Sequence, residues 1–286
     1  MSETITEAVR ERYAEAARRV RGGAGCCTTL GGDDAVTRDL YDAAEVGDLP
    51  DTAVLASLGC GNPTALIELR EGETVLDLGS GGGIDVLLSA RRVGPTGFVY
   101  GVDMTEEMLA LALENRAKAG VANVAFLRGQ IEDIPLPANS VDVVISNCVI
   151  NLAADKSLVL RDAFRVLRPG GRFAVADVVS EGAVPDALRS DMEAWIGCIA
   201  GALDVETYER LLHDVGFEDV GIEITRRYAV AESGIDTTAL PPGWEEADGK
   251  IASAFVRATK PPSAPIQSPI PATSVSGCGC GTSCCG

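Results

Sequence analysis

The stretch Val75–Asp103, VLDLGSGGGIDVLLSARRVGPTGFVYGVD, constrains the fold more than any other part of the chain. It opens on an apolar, β-branched run, Thr74-Val75-Leu76-Asp77-Leu78, of the kind that forms a buried parallel strand. The run breaks into Gly79-Ser80-Gly81-Gly82-Gly83, after which Ile84, Val86, Leu87 and Leu88 begin a helical segment. A second strand, Phe98-Val99-Tyr100-Gly101-Val102, ends in Asp103. In such a strand–glycine loop–helix–strand–acid unit the glycines let the backbone close on a ligand at a helix N-terminus. Asp103 stands 24 residues beyond Gly79, close to the roughly 20 expected of a carboxylate that binds a ribose. The unit predicts a nucleoside site.

On either side of it the pattern alternates strand and helix. Residues 3–20 place Val9, Tyr13, Ala16, Ala17 and Val20 at helical spacing between charges, an amphipathic helix stopped by Gly22-Gly23. A short helical turn over 51–57 leads into Leu58-Gly59-Cys60-Gly61, and Asn62 precedes a helix with Pro63 at its first position. Next come a helix over 105–119 capped by Thr105, strands over 124–127 and 141–146, and a helix from Asp155 through Leu167 that Pro169-Gly170-Gly171 ends. A strand over 172–179, helices near 185–200 and 205–215, and strands over 220–225 and 251–258 complete the series. Repeated βα units predict an α/β fold, a doubly wound, mostly parallel, seven-stranded Rossmann-like sheet with ligands at the carboxyl ends of its strands. The expected division is an N-terminal helical segment (1–70), a nucleoside-binding domain (71–180), its remaining helices and last strands (181–259), and a Pro/Ser-rich linker with a Cys-rich, disordered tail (260–286).

Charge narrows the partners. A net charge of −18 argues against nucleic acid and anionic membrane. No apolar leader and no run of about 18 apolar residues is present, so a cytoplasmic chain is expected, and nothing requires more than a monomer. Nine cysteines in that setting read as free thiols rather than a disulfide framework, and imply a metal, a redox step or both.

Two nucleoside ligands fit the glycine loop, a dinucleotide and S-adenosylmethionine. The loop lacks the spacing that cradles a pyrophosphate, because Ile84 stands where the third glycine would be. The string Asp77-Leu78-Gly79-Ser80-Gly81-Gly82-Gly83 resembles the first motif of class I methyltransferases, which bind S-adenosylmethionine, and the methyl donor is the ligand expected. Gly79, Gly81 and Gly83 are then placed at its methionine portion and Asp103 at the ribose hydroxyls, with Asp77 a further donor-binding residue. Met104 packs beside the adenine or serves as a plain core methionine. Ile131 and Glu132 are placed at the adenine edge, and Asn147 near the methionine moiety.

Cys148 follows Asn147 at a strand end, where an acceptor would lie, though an isolated buried cysteine is also an ordinary small hydrophobe. Cys60 sits in a glycine loop, Cys198 in Trp195-Ile196-Gly197-Cys198-Ile199-Ala200-Gly201, and Cys26 and Cys27 in an N-terminal segment able to close over them. Several thiolates converging on a sulfonium suit a soft, thiophilic acceptor. Methyl transfer to a hydroxyl commonly needs a general base, and the only histidine, His213, falls on a late helix. Trivalent arsenic brings its own lone pair and needs none.

Asn147-Cys148-Val149-Ile150-Asn151-Leu152, Leu58-Gly59-Cys60-Gly61-Asn62-Pro63, the glycine loop through Asp85 and Trp195–Leu203 together resemble the arsenite methyltransferases, over roughly residues 5–225. The resemblance implies that Cys148 and Cys198 are arsenic thiolates. It implies that Cys60 helps hold arsenite and pairs in a disulfide with an N-terminal cysteine, Cys26 or Cys27, as product is reduced. It implies arsenite or its glutathione adduct as substrate, S-adenosylmethionine as donor with no permanent metal, and thioredoxin or glutathione as reductant. The departure is the C-terminus, where Cys278, Cys280, Cys284 and Cys285 stand in place of a longer domain and are candidates for arsenic capture. Competing readings are a methyltransferase for another small molecule with structural cysteines, and a non-enzymatic metalloid-binding protein.

Overall fold

The computed structural model describes residues 2–22, 47, 49–56, 60–182, 201–228, 245 and 248–262. Cys26, Cys27, Cys198, the four tail cysteines and the helices expected near 185–200 lie outside the described residues.

Among the described residues, three helices precede the sheet: α1 (Ser2–Arg21), α2 (Asp51–Leu55) and α3 (Pro63–Leu66). The sheet starts with β1 (Thr74–Leu78), followed by α4 (Ile84–Arg92), β2 (Phe98–Asp103), α5 (Glu106–Ala119) and β3 (Val124–Arg128). Then come β4 (Val141–Asn147), a 3-10 turn at Ile150–Leu152, α6 (Lys156–Val166), β5 (Leu167–Ser180), β6 (Leu203–Asp204), α7 (Val205–Val215), β7 (Glu218–Tyr228) and β8 (Ile251–Thr259). The strand order is β3-β2-β1-β4-β5-β8-β7, with β6 on the end of β5. All pairs are parallel except those made by β8, which runs antiparallel to β5 and β7.

Successive side chains of a strand leave the sheet on opposite faces, and both faces here are covered. Leu76 and Leu78 join Val144, Val175, Leu160 and Tyr208 in one cluster, while Val75 joins Val143, Val86 and Val93 in the other. Each fully buried leucine or valine contributes roughly 1.5–3 kcal/mol, which explains why the β1 run is apolar throughout apart from Asp77.

Three sequence expectations change. Pro169-Gly170-Gly171 does not separate a helix from a later strand, because β5 already begins at Leu167. Leu167 pairs with Val141 and Arg172 with Val143, and the register shift between them takes up the extra residues as a bulge. The ladder is kept by the Gly170 amide donating to Lys260 O and the Lys260 amide to Gly171 O. The sheet also has an eighth strand, β6, two residues long, beside Val179 and Ser180. Thr105 precedes α5, yet its side chain makes no cap bond and turns to Asp103 instead.

Candidate active site

In an open α/β sheet the loops after two neighbouring strands diverge where the strand order reverses, and ligands bind there. The reversal lies between β1 and β4. The loop after β1 folds back on β2, with the Gly79 and Ser80 amides donating to Val102 O at 2.8 and 3.0 Å. Gly79 has φ +69°, and a Cβ there would sit 2.4 Å from a Val149 methyl carbon. The tight turn therefore needs glycine. The Gly81 amide donates to Asp103 Oδ2 at 2.9 Å, and the Thr105 amide to Oδ1 at 2.8 Å. Burial raises the Asp103 carboxyl above its ordinary range, and the hydrogen bonds from Thr105, Gly81 and Met104 oppose that shift.

These groups open on a cavity at the carboxyl ends of the strands. Gly79, Gly81, Asp103, Met104, Ile131 and Glu132, all expected at the methyl donor, line it, and α1 contributes Thr6, Val9 and Tyr13 to the lining. Burial, with Asp155 adding to it, raises the Glu132 carboxyl. Three residues placed at the methyl donor from sequence do not line the cavity. Gly83, at φ +88°, faces Phe126, which a Cβ would approach to 2.9 Å. Asp77 is buried, and its carboxyl is raised well above the ordinary value by that burial and by Asp85 and Asp103. Asn147 spends its amide on protein. Its Oδ1 accepts from the Cys60 and Gly61 amides, and its Nδ2 donates to Gly61 O at 2.7 Å and Asp85 Oδ2 at 3.2 Å.

That amide places the acceptor candidates. Cys60 is held from one side by Asn147 and from the other by Ser253, whose Oγ donates to Cys60 O at 3.0 Å and is itself bonded to the Tyr228 hydroxyl. Gly61 lies so near Ala176 that a Cβ would come within 2.6 Å of its methyl carbon, so the loop packs flat on β5. Cys148 turns off the end of β4 with φ +61°, a left-handed conformation costing a non-glycine residue on the order of 1–3 kcal/mol. Its amide donates to Ala176 O at 2.8 Å. The two cysteines are joined in a disulfide, with Cα atoms 5.7 Å apart. This corrects the reading of all nine cysteines as free thiols. It also differs from the pairing of Cys60 with Cys26 or Cys27, because the sheet delivers Cys60 and Cys148 to the same spot, within bonding reach.

Beside them lies a residue that sequence reasoning missed. The Asp177 carboxylate and the two sulfurs all fall within 4.8 Å of one another. Asp177 is fully buried, and that burial pushes its carboxyl up to about 7 against the opposing influence of Lys156, the Val178 amide and the Tyr208 hydroxyl. The sequence signal was one acid in the apolar run Phe173–Val179. No comparable signal marked Ser253 or Tyr228. The thiol pair and the cavity share a wall: Val9, Leu152, Tyr13 and Met104 pack with Cys60 and Cys148 and also line the cavity.

A family model described as a methyltransferase domain matches residues 69–216, just over half of the chain. A crystal structure of an arsenic(III) S-adenosylmethionine methyltransferase from Chlamydomonas reinhardtii superposes with TM-score 0.65 at 33% identity, covering 80% of this chain and 74% of that one. The chain belongs to that methyltransferase family. The methyltransferase is also 47% identical over 231 residues to the arsenite methyltransferase of Halobacterium salinarum, over 77% of this chain and 59% of that protein. It is 42% identical over 184 residues to the arsenite methyltransferase of Aquipseudomonas alcaligenes, over 62% and 53%. The methyltransferase thus spans about half the length of these curated relatives. Among its described residues, no helix is long and apolar enough to cross a membrane.

Proposed function

We propose that this methyltransferase transfers a methyl group from S-adenosylmethionine to trivalent arsenic held by cysteine thiolates. The carrying observation is the wall shared by the donor cavity and the thiol pair, which sets acceptor and donor side by side. Bound in the cavity, S-adenosylmethionine supplies an electrophilic methyl group. The glycine loop admits it closely, and Asp103 keeps lone pairs free for the ribose hydroxyls.

On the acceptor side, Cys60 and Cys148 must be reduced before they hold arsenic. Two electrons and two protons from a dithiol, with thioredoxin or glutathione as the cellular candidates, turn the disulfide into two thiols. Arsenite, free or as its glutathione adduct, then exchanges two ligands for the protein sulfurs, the thiol protons leaving with the displaced groups. Cys198 is the candidate third thiolate. Attack of the arsenic lone pair on the methyl carbon raises arsenic by two oxidation units. Oxidation of two thiols to a disulfide supplies the two electrons that return it to the trivalent state. A disulfide between Cys60 and Cys148 is the species such a step leaves, which supports placing both cysteines at the acceptor. No base is needed, so catalysis rests on alignment and exclusion of water. Cys26 or Cys27 as an exchange partner and the tail cysteines as a capture site remain part of the proposal. The deciding experiment incubates the protein with S-adenosylmethionine, arsenite and a dithiol and separates the arsenicals by chromatography. Methylated arsenic is expected, and its absence under reducing conditions refutes the assignment.

A further inference from the structure

Asp177 has no part in the chemistry above, yet it lies where a ligand would. We propose that in the reduced protein Cys60, Cys148 and Asp177 form a binding site for a thiophilic divalent cation of the zinc(II) and cadmium(II) class. The inference rests on the preceding reading only in taking Cys60 and Cys148 as reducible.

The geometry comes first. The two sulfurs and a carboxylate oxygen lie within 4.8 Å of one another, and all three residues are buried. Around tetrahedral zinc, with metal–sulfur and metal–oxygen distances of about 2.3 and 2.1 Å, such donors stand roughly 3.7 Å apart. Reduction ends the sulfur–sulfur bond and lets the sulfurs part toward that spacing. The carboxylate needs to close in by no more than about 1 Å, within the reach of a single side-chain torsion. Three protein donors with a fourth position open is the usual arrangement of an accessible zinc site.

The donor set then selects the cation. Two thiolates and a carboxylate carry three negative charges, which a dication leaves at one. Arsenic(III) prefers soft sulfur throughout and gains little from a hard oxygen, whereas zinc and cadmium bind thiolate and carboxylate together. Outer contacts orient each donor, as metal sites require. Tyr208 Oη donates to Asp177 Oδ2 at 3.4 Å and the Val178 amide to Oδ1 at 3.1 Å. Ser253 and Asn147 hold the Cys60 backbone, and Ala176 O the Cys148 amide. The cation whose field reaches Asp177, Lys156, donates its Nζ to Ala153 O. Binding forms two metal–sulfur bonds and one metal–oxygen bond and releases to solvent both thiol protons and any proton on the Asp177 carboxyl, with no change of oxidation state. A bound cation occupies the sulfurs that arsenite needs, so it competes with arsenite and a chelator relieves the block.

Cobalt(II) is the probe. In a full-length chain with Cys26, Cys27, Cys198, Cys278, Cys280, Cys284 and Cys285 changed to serine, reduced and kept anaerobic, cobalt(II) should produce a thiolate-to-cobalt charge-transfer band and tetrahedral visible bands that saturate at a single equivalent. Asp177→Asn should weaken that affinity by about tenfold or more, as loss of a ligand costs at least what loss of an orienting partner does. Absence of the bands, or bands with the same affinity in Asp177→Asn, overturns the site. In case the variants do not fold, the unmutated reduced chain is alkylated with and without zinc(II), and its peptides are mapped. Protection of Cys60 and Cys148 supports the site; equal labelling with and without zinc overturns it. Methylarsenical formation by the unmutated, reduced chain in metal-free buffer is measured in parallel. Methylation without a cobalt band rejects the cation site alone, and a cobalt band without methylation rejects the arsenic reading alone.

Discussion

The donor cavity and the thiol cluster lean on the same residues but are assembled in different ways. The hydrogen-bonded frame of the donor side comes from one contiguous segment, although α1 and the segments after β3 and β4 complete the cavity lining. β1, the glycine loop and Asp103 bond to one another within Thr74–Thr105, and the loop is closed by amides reaching the carboxyl end of β2. The thiol side draws on four distant segments: Cys60 before the sheet, Cys148 after β4, Asp177 inside β5 and Ser253 on β8. One region is set by local turn chemistry and the other by the whole sheet. The donor side should therefore survive single changes that ruin the acceptor side.

The largest expected effect tests that independence directly. Cys148→Ser should reduce arsenic methylation below detection while S-adenosylmethionine affinity, read by calorimetry, stays near that of the parent chain; retained methylation would remove Cys148 from the acceptor. Next in size is the pH response of Asp177. Its carboxyl is raised to about 7 in the folded chain from an ordinary 3.8, so its contribution to stability is full below about pH 4 and is lost as pH rises through 7. Asp177→Asn should therefore gain on the parent by an amount on the order of 4 kcal/mol between about pH 4 and pH 8, read by urea unfolding of the oxidised proteins. A constant difference across that range would mean the carboxyl is not buried as described. On the donor side, Asp103→Ala removes charge-assisted acceptors worth about 1.5–3 kcal/mol, so donor affinity should fall roughly tenfold to a hundredfold while the Cys60–Cys148 disulfide still forms. Loss of the disulfide as well would join the two regions after all. The smallest effect is expected from Ser253→Ala, which frees Cys60 O at a cost of about 1 kcal/mol. It should slow arsenite capture, measured by quenching or alkylation, and leave donor affinity unchanged.

The same division explains what was legible in the sequence. The strand-end positions of Gly79, Gly81, Asp103, Met104, Ile131 and Glu132 bring them to one cavity. The order of strand and helix from Thr74 to Thr259 also follows the hydrophobic pattern, with boundaries shifted by a few residues. Gly83 and Asn147 lie off the cavity lining, because spacing brings a residue near a site without saying which way it faces. Gly83 gives room to Phe126, and Asn147 turns to the Cys60 loop. The antiparallel pairing of β8 brings Ser253 to Cys60, 193 residues away, and no local pattern could reveal it. Asp177 was readable in principle, as an acid within an apolar strand, but its meaning appears only beside the sulfurs.

The Asn147 amide has one more consequence. A single planar group holds Gly61 with one hydrogen of its NH₂ and Asp85, at the first turn of the helix after the glycine loop, with the other. If opening the disulfide shifts the Cys60 loop, the same amide links that shift to the helix after the glycine loop. By the reciprocity of linked equilibria, the factor by which thiol reduction alters donor affinity is the factor by which a bound donor alters the ease of thiol reduction. Donor loading and the redox poise of the cysteines are, through that one side chain, entries in the same thermodynamic cycle.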